Sequence, residues 1–436
     1  MTKGRSAVVV SILCIAAVTA AGATRASISG RHVPSSDSTR VSDLAQRDVQ
    51  ISAWKKALAA DSESAIALGQ LAGLYMQRGR ETGDETNYAT AEAYARRSVV
   101  LRTNRNGAAF VTLASAMLAQ HEFVEADSIV NKLIALEPDI PQYRALRGEI
   151  KLELGDYSAA RSEFDSLYQQ RTHLSIAPRL ARWLEISGRS DAARKLLYES
   201  LFEAKRRRDL PLEQLAWFYL RTGDIEQRQG RTRTARSLFG QGLQVHPDDY
   251  RLLAAMARLE AAEGRPKNVI DYGERAIAVK LDPATLGLIG DAYADIGDSA
   301  QAEEYFKTME VAVSGQPGAY HRAWSLFLLD HERRIPEVLA NVTSEVETRR
   351  DVYGYDLLAW ALSKSGKPVE ASAAMNQAMR MHTDDPMLLF HAGVIEHSIG
   401  NNTTSRAYLT RALEINPKFN LKQAARARAM IESMER

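Results

Sequence analysis

Several groups of polar residues in this 436-residue sequence have types that could do chemistry. Ser365-Gly366-Lys367 has the form of a phosphate-loop ending, but the upstream position that needs glycine holds Ala361. His331-Glu332 begins like a zinc-protease motif, yet no second histidine follows at the required spacing. His391 and His397 are six residues apart, so they do not share a helix face as ligands at i and i+4 would. None of these groups has the spacing that its chemistry requires.

Two pairs of neighbouring carboxylates, Asp248-Asp249 and Asp384-Asp385, could be read as acid–base partners. Both pairs stand directly before predicted helices, where an aspartate caps the first turn. We therefore interpret them as helix caps. The sequence predicts no catalytic residue, no cofactor site and no metal site, and we expect a protein that is not an enzyme.

A period of about 34 residues organises most of the chain. Small residues recur mostly at steps of 33 or 34, with two steps of 42 and one of 69 that leaves room for a degenerate unit. These small residues are Ala72, Ala114, Gly148, Ala181, Gly223, Ala257, Gly290, Ala359 and Gly393. Small residues at this spacing allow two antiparallel helices to approach closely.

The other marks of the period keep the same register. Glycines suited to a tight turn between helices stand at Gly155, Gly188, Gly230, Gly264, Gly297, Gly366 and Gly400. Alanines follow five residues later, at Ala160, Ala193, Ala235, Ala302 and Ala371. Bulky residues come four residues after these, at Phe164, Leu197, Phe239, Phe306 and Met375. Prolines that stop a helix end units at Pro138, Pro247 and Pro417.

This pattern resembles the tetratricopeptide repeat family over roughly residues 65–419. The resemblance implies an all-α fold, a right-handed α-solenoid of about ten helix-turn-helix units with capping helices. Residues 41–64 are predicted to form an N-terminal capping helix, and residues 420–436 a C-terminal one. The unit at about 318–351 is degenerate, because Glu332 and Glu337 replace its turn glycine and its alanine. It is interpreted as drift of the repeat, with a hinge or an altered groove segment as the alternatives.

Residues 1–23 are predicted to be an export signal. Lys3 and Arg5 precede an apolar run, and Ala21-Gly22-Ala23 fits a small-x-small cleavage site. The alternative is an uncleaved membrane anchor, since the run is near the lower length limit of a span. Residues 24–40 are polar and Ser-rich, which predicts a flexible linker. We expect an exported protein, periplasmic or extracellular, or else an anchored one with its repeats outside the cytoplasm.

Composition excludes several classes of function. The 56 Lys and Arg residues include Lys3 and Arg5; without these two, 54 remain against 54 Asp and Glu. A neutral chain is not typical of a nucleic-acid-binding protein, so no nucleic-acid partner is expected. The single cysteine, Cys14, lies in the predicted signal, which leaves no disulfide or thiolate chemistry after cleavage.

Two insertions interrupt the period, around Glu81–Asn87 and Ala204–Pro211. The second contains Lys205-Arg206-Arg207-Arg208. Its cations suit a solvated helix C-terminus, where they complement the helix dipole. The alternative is a contact with an acidic partner or a lipid headgroup.

In the resembled family, the first helix of each unit lines a concave groove that binds partners. The residues that map to this groove are Arg182, Trp217, Arg251, Arg258, Asp291, Tyr353, Asp356, Trp360 and Phe390. Tyr353, Trp360 and Phe390 would form an aromatic floor that anchors a partner, or would pack between units. The family's carboxylate clamp needs a groove asparagine, and the aligned residues Glu149, Arg182, Asp291 and Trp360 do not supply one.

The sequence therefore predicts an exported, non-catalytic scaffold that binds a protein or peptide partner in its groove. A membrane-anchored assembly factor of an envelope complex is the alternative if residues 1–23 are retained. An accessory subunit of an enzyme is a more distant alternative.

Overall fold

The computed structural model describes residues 36–314 and 322–434, and within these ranges it consists of helices and the turns that join them. The first eleven α-helices are α1 (Ser36–Ala60), α2 (Ala65–Thr82), α3 (Thr86–Leu101), α4 (Gly107–Ala119), α5 (Phe123–Leu136), α6 (Pro141–Leu154), α7 (Tyr157–Leu167), α8 (Ala177–Ile186), α9 (Ser190–Arg206), α10 (Leu212–Arg228) and α11 (Thr232–Val245). The remaining α-helices are α12 (Tyr250–Ala262), α13 (Pro266–Ile277), α14 (Pro283–Asp295), α15 (Ser299–Ser314), α16 (Arg322–Asp330), α17 (Ile335–Thr348), α18 (Val352–Lys364), α19 (Pro368–Ala378), α20 (Pro386–Ser398), α21 (Asn402–Ile415) and α22 (Leu421–Met434).

Helices α2 to α21 pair into ten units within the described ranges, each an even-numbered helix followed by an odd-numbered one. The small-residue positions lie where the two helices of a unit meet. A Cβ built at Gly223 would stand 2.3 Å from the ring of Phe239, and one at Gly290 equally close to Phe306. A methyl group cannot fit there, so glycine and the bulky residue are matched in volume. The predicted all-α solenoid of about ten helix-turn-helix units is confirmed.

The turn glycines adopt the left-handed conformation that the tight interhelical turn requires. Gly155, Gly188, Gly230, Gly264, Gly297, Gly366 and Gly400 have φ between 69° and 88°. In the degenerate unit, Glu332 takes the same conformation at φ 55°. That unit therefore keeps the turn geometry after losing the residue type that favours it.

Both ends of the described chain are helical. Helix α1 begins at Ser36, inside the segment predicted as the linker 24–40, so the last five residues of that predicted linker are helical. At the other end, α22 buries Ala424 and Ala427. The predicted signal 1–23 and residues 24–35 lie outside the described residues. Among the helices that are described, none is both long and apolar enough to cross a membrane.

The two insertions lengthen helices, and the second also leaves a loop at 207–211 between α9 and α10. Helix α2 has 18 residues, while α9 and α10 have 17 each; the even-numbered helices of regular units, such as α12, have 13. Lys205 and Arg206 lie in the last turn of α9, as interpreted from the sequence.

Units that are far apart in sequence meet along what we call the inter-turn seam. The hydrogen bonds that cross it join the Val352 amide to the Tyr157 hydroxyl (2.7 Å), the Thr383 hydroxyl to the Ile186 carbonyl (2.6 Å) and the Asn416 amide to the Gln227 carbonyl (2.9 Å). The Lys280–Glu85 ion pair crosses it at 2.9 Å. The partners are 189 to 197 residues apart, so the solenoid completes one superhelical turn in about six units and the second turn rests on the first.

The seam has two different sides. The first turn contributes the tight turns within units, and the second contributes the loops between units. A Cβ at Gly155 would stand 2.2 Å from the Arg350 carbonyl oxygen, and one at Gly188 would stand 2.4 Å from that of His382. At Gly366 and Gly400 nothing lies within 4 Å of the same position. Glycines of identical backbone conformation therefore differ in whether a neighbouring turn covers them.

The seam predicts different costs for one substitution at two glycines. Gly155→Ala and Gly366→Ala start from nearly equal φ values, 74° and 72°. We expect Gly366→Ala to lower the free energy of unfolding by about 1 kcal/mol through backbone strain alone. Gly155→Ala should cost about 3 kcal/mol, because its methyl group must also push the Arg350 backbone away. Urea unfolding of both variants measures this difference, and equal losses would show that the seam does not form in solution.

Candidate functional site

The even-numbered helices lie on the inner, concave side of the superhelix. Most of them pack against the next even-numbered helix more extensively than the odd-numbered helices pack against one another. The predicted groove residues are all on these even-numbered helices. We call this inner side the concave face.

A row of ion pairs joins successive helices across the concave face. Its members are Arg179–Glu149 (2.7 Å), Arg182–Glu153 (2.6 Å), Arg221–Glu185 (3.1 Å), Arg251–Glu213 (2.7 Å), Arg258–Asp224 (3.7 Å) and His331–Asp291 (3.0 Å). Each pair ties one unit to the next, so most of these charges already have a counterion. The concave face is therefore highly charged yet close to locally neutral.

A separate and more deeply buried polar cluster centres on Asp356 of α18. His391 Nδ1–H donates to its carboxylate at 2.7 Å, and the Arg322 guanidinium donates at 2.9 Å. Burial alone would raise the pKa of Asp356, but its interactions with His391 and Arg322 outweigh burial and hold the pKa below its ordinary value. The Asp356 carboxylate and the His391 ring are almost completely buried, which keeps this pair from reaching a substrate.

The predicted aromatic floor is covered. Phe390 is fully buried and Trp360 is almost so. The Phe419 ring lies 5.8 Å from that of Phe390. The Trp360 indole N–H donates to Asp330 at 3.0 Å, and Gln423 of α22 contacts the same carboxylate at 3.4 Å. These two aromatic residues pack beneath the C-terminal segment, so they do not form an exposed floor.

The other predicted groove residues divide into packed and accessible ones. Trp217 packs edge-on against Phe218 with ring centroids 5.1 Å apart, and it is partly buried against the hydrophobic core. Arg251 is held by Glu213 and by its own helix cap Asp249, and it is mostly buried. Tyr353 is half-buried, with Arg322 above its ring.

Arg258 is one of three predicted groove residues that solvent reaches. Its side chain is 49% exposed, and its distance of 3.7 Å to Asp224 is the longest in the row of ion pairs. Arg182 and Asp291 are also partly exposed. These three predicted residues lie on separate helices, α8, α12 and α14, spaced along the concave face.

A cavity of about 260 Å³ opens beside Arg258. Its lining includes Arg228 and Leu259 from the first superhelical turn with Met387, Lys418 and Phe419 from the second. The sequence did not indicate Lys418 and Phe419, because they follow the last predicted unit and reach this place only across the inter-turn seam. The site therefore combines a spaced set of repeat positions with residues from outside the repeat pattern.

A larger cleft of about 930 Å³ lies beside the degenerate unit, where α17 approaches α5. Glu345 of α17 lines it and pairs with Arg349 at 3.6 Å. Burial raises the pKa of Glu345 to about 7; Arg349 opposes this shift, and Asp351 adds to it. The folded protein therefore holds this carboxyl protonated at mildly acidic pH.

The raised pKa of Glu345 predicts a pH-dependent stability. The folded state binds this proton more tightly than the unfolded state, so the stabilisation is lost as the pH rises from about 4.5 through about 7. Glu345→Gln removes the titration, while Arg349 keeps Glu153 and Asp351 as partners at 3.1 Å. We expect the variant to gain on the order of 1 kcal/mol over wild type at pH 8 and nothing at pH 4.5, after allowing for its partial exposure. Thermal melting at the two pH values measures this, and a pH-independent difference would contradict it.

A solenoid of paired helices with this register is a helical-repeat scaffold. Family models described as tetratricopeptide repeat match residues 220–285, 357–418 and 283–308. These matches show that the chain contains tetratricopeptide repeats, and such repeats generally mediate binding to protein partners. No curated protein sequence matches the chain.

Solved structures resemble the fold at low identity. The Cut9–Hcn1 hetero-tetramer is 12% identical, with 93% of this chain and 97% of that chain covered and a TM-score of 0.35. The human IFIT1 dimer with PPP-AAAA is 15% identical, with 86% and 88% covered and a TM-score of 0.46. A tetratricopeptide repeat protein from Parabacteroides merdae is 15% identical, with 59% and 98% covered and a TM-score of 0.41. Similarities of this size say nothing about which ligand this chain binds.

Proposed function

We propose that the chain is an exported, non-catalytic scaffold that holds a protein or peptide partner on its concave face, at the cavity beside Arg258. The observation that supports this most is the half-exposed Arg258, which keeps only a long contact to Asp224. Arg228 and Lys418 line the same cavity but pair with Glu185 and Glu263, so Arg258 is the cation of this cavity with the longest ion-pair distance. Met387 and Phe419 add apolar surface. The chemistry fits a segment with an acidic and an apolar side chain.

The pairing of charges favours a protein partner over a nucleic acid. Phosphate backbones are bound by clustered cations that are free to replace counterions. On the concave face, Arg179, Arg182, Arg221 and Arg251 already have carboxylate partners within 3.1 Å. Strongly salt-dependent binding of a single-stranded oligonucleotide to this face would contradict the proposal.

The proposal of a non-catalytic scaffold has two supports. In residues 36–314 and 322–434, no group of His, Cys, Asp and Glu side chains is placed to hold a metal ion. The closest His–carboxylate pair, His391–Asp356, is buried. An accessory subunit of an enzyme would share these features, and identification of the bound partner decides between the two.

A crosslinking capture from the native host tests the site. The bait is compared with Arg258→Glu and with Arg161→Glu, a control in which an exposed arginine of the odd-numbered helix α7 is changed in the same way. Partners lost only from Arg258→Glu would support the site, and the captured segment should bind that variant at least about tenfold more weakly. An identical set of partners from all three baits would overturn it.

Export is tested on the same recovered protein. N-terminal sequencing that begins at Thr24 supports an exported protein with a cleaved signal. An intact Met1 or Thr2 supports the anchored assembly factor instead, because the apolar run would then remain.

A further inference from the structure

The inter-turn seam leaves one unused side at each end of the solenoid. In the first superhelical turn, the tight turns within units are covered by the second turn, and the loops between units are not. We call these loops the lower edge: residues 61–64, 102–106, 137–140, 171–175 and 207–211. In the second turn the reverse holds, and we call its tight turns at Gly297, Gly366 and Gly400 the upper edge. Inside the seam, loops between units contact tight turns within units. The lower edge consists of such loops and the upper edge of such tight turns.

The lower edge also carries exposed apolar residues at the helix ends beside its loops. In the second turn, Ile415 is the last residue of α21; its carbonyl oxygen would lie 3.0 Å from a Cβ on Gly230, and its side chain, 8% exposed, packs in an apolar cluster of its own turn. Leu136 and Leu101 occupy the same place, at the ends of α5 and α3 in the first turn, and are 37% and 44% exposed. Ile140 and Tyr168 add further exposed apolar surface along this edge.

The upper edge has matching properties. Gly366 and Gly400 have φ of 72° and 85°, like the glycines that form the seam, yet the space above them is open. Ile296 and Val369 flank this edge, and the side chain of Val369 is 73% exposed. Gly264 differs from these two glycines. A Cβ built at Gly264 would lie 3.5 Å from the side chain of Leu421 of the same chain.

We propose that the lower edge of one copy of this chain docks on the upper edge of a second copy, which continues the superhelix from chain to chain. The occupant is a second copy because the two edges repeat the two sides of an interface that the chain already forms with itself. The interface is heterologous, so it is not closed by a two-fold axis, and it permits open linear assembly. The balanced charge of residues 24–436 opposes such stacking little.

Analytical ultracentrifugation of the chain, purified as its host processes it, tests the stacking over a concentration series. We expect the weight-average mass to rise with concentration past that of a dimer. Leu136→Glu removes the lower edge and Val369→Glu the upper one, and each should raise the dissociation constant at least about tenfold. Val49→Glu, at an exposed position in the middle of α1, is the control and should assemble as wild type does. Unchanged thermal melting of the three variants shows that they fold.

Mixing the two edge variants distinguishes head-to-tail stacking from symmetric dimerisation. Each variant keeps the edge that the other has lost, so an equal mixture should form a dimer and no larger species. A wild-type chain that stays monomeric throughout the series would overturn the proposal. So would a mixture that stays monomeric, or one that grows beyond the dimer. Leu101→Glu repeats the lower-edge test at an independent position on the same edge.

Discussion

Replacing Ala371 with aspartate is expected to cost the chain about 5 kcal/mol of unfolding free energy. Ala371 is fully buried in α19, at the contact with α18 and α20. Its neighbours Ala359, Met375 and Leu388 belong to one hydrophobic cluster and offer no counterion. A carboxylate placed there must either stay charged without a partner or bind a proton at neutral pH, and both are costly. Urea unfolding followed by circular dichroism measures the loss.

The matched control is Ala59→Asp. Ala59 is exposed on α1, next to the helix end and outside the repeat register. An aspartate there keeps its hydration, so the expected change is within about 0.5 kcal/mol. If the two variants lost similar stability, the repeat register that places Ala371 at a helix contact would be wrong.

The fold could be predicted because the repeat is a local pattern. Gly223 and Phe239 belong to one unit, so their spacing of 16 residues already specifies which two helices meet and how closely. A solenoid unit contacts mainly its neighbours, and the same spacing therefore also sets the order of stacking. Even the degenerate unit folds in register, since Glu332 adopts the turn conformation without glycine.

The inter-turn seam could not be predicted in the same way. Whether one turn of a superhelix touches the next depends on a small rotation per unit that accumulates over about six units. That rotation is set by side-chain packing and has no fixed spacing in the sequence. Gly155 and Gly366 therefore have the same role in the repeat pattern, although only Gly155 lies against another turn.

The candidate site was predicted only in part, for a related reason. The period places Arg258, Trp360 and Phe390 equally on the first helices of their units. It carries no information about Phe419, which follows the last repeat and covers the aromatic pair while leaving Arg258 open.

Replacing Asp356 with asparagine is expected to cost about 3 to 5 kcal/mol at neutral pH. The amide is similar in size but carries no charge, so Arg322 and His391 lose their shared counterion in a buried place. The exposed carboxylate Asp165, paired with Arg161 one helical turn away, provides the control. Asp165→Asn should cost at most about 0.5 kcal/mol.

The effect of Asp356→Asn should also depend on pH in a defined direction. Because His391 and Arg322 lower the pKa of Asp356 in the folded state, its stabilisation is complete above the ordinary carboxyl pKa of about 4 and is lost as the pH falls through the lower, folded-state value. The difference in unfolding free energy between wild type and variant should therefore shrink on acidification below about pH 4. Chemical denaturation at a series of pH values measures it. A difference that grew on acidification would mean that Asp356 is not held as a carboxylate beside His391 and Arg322.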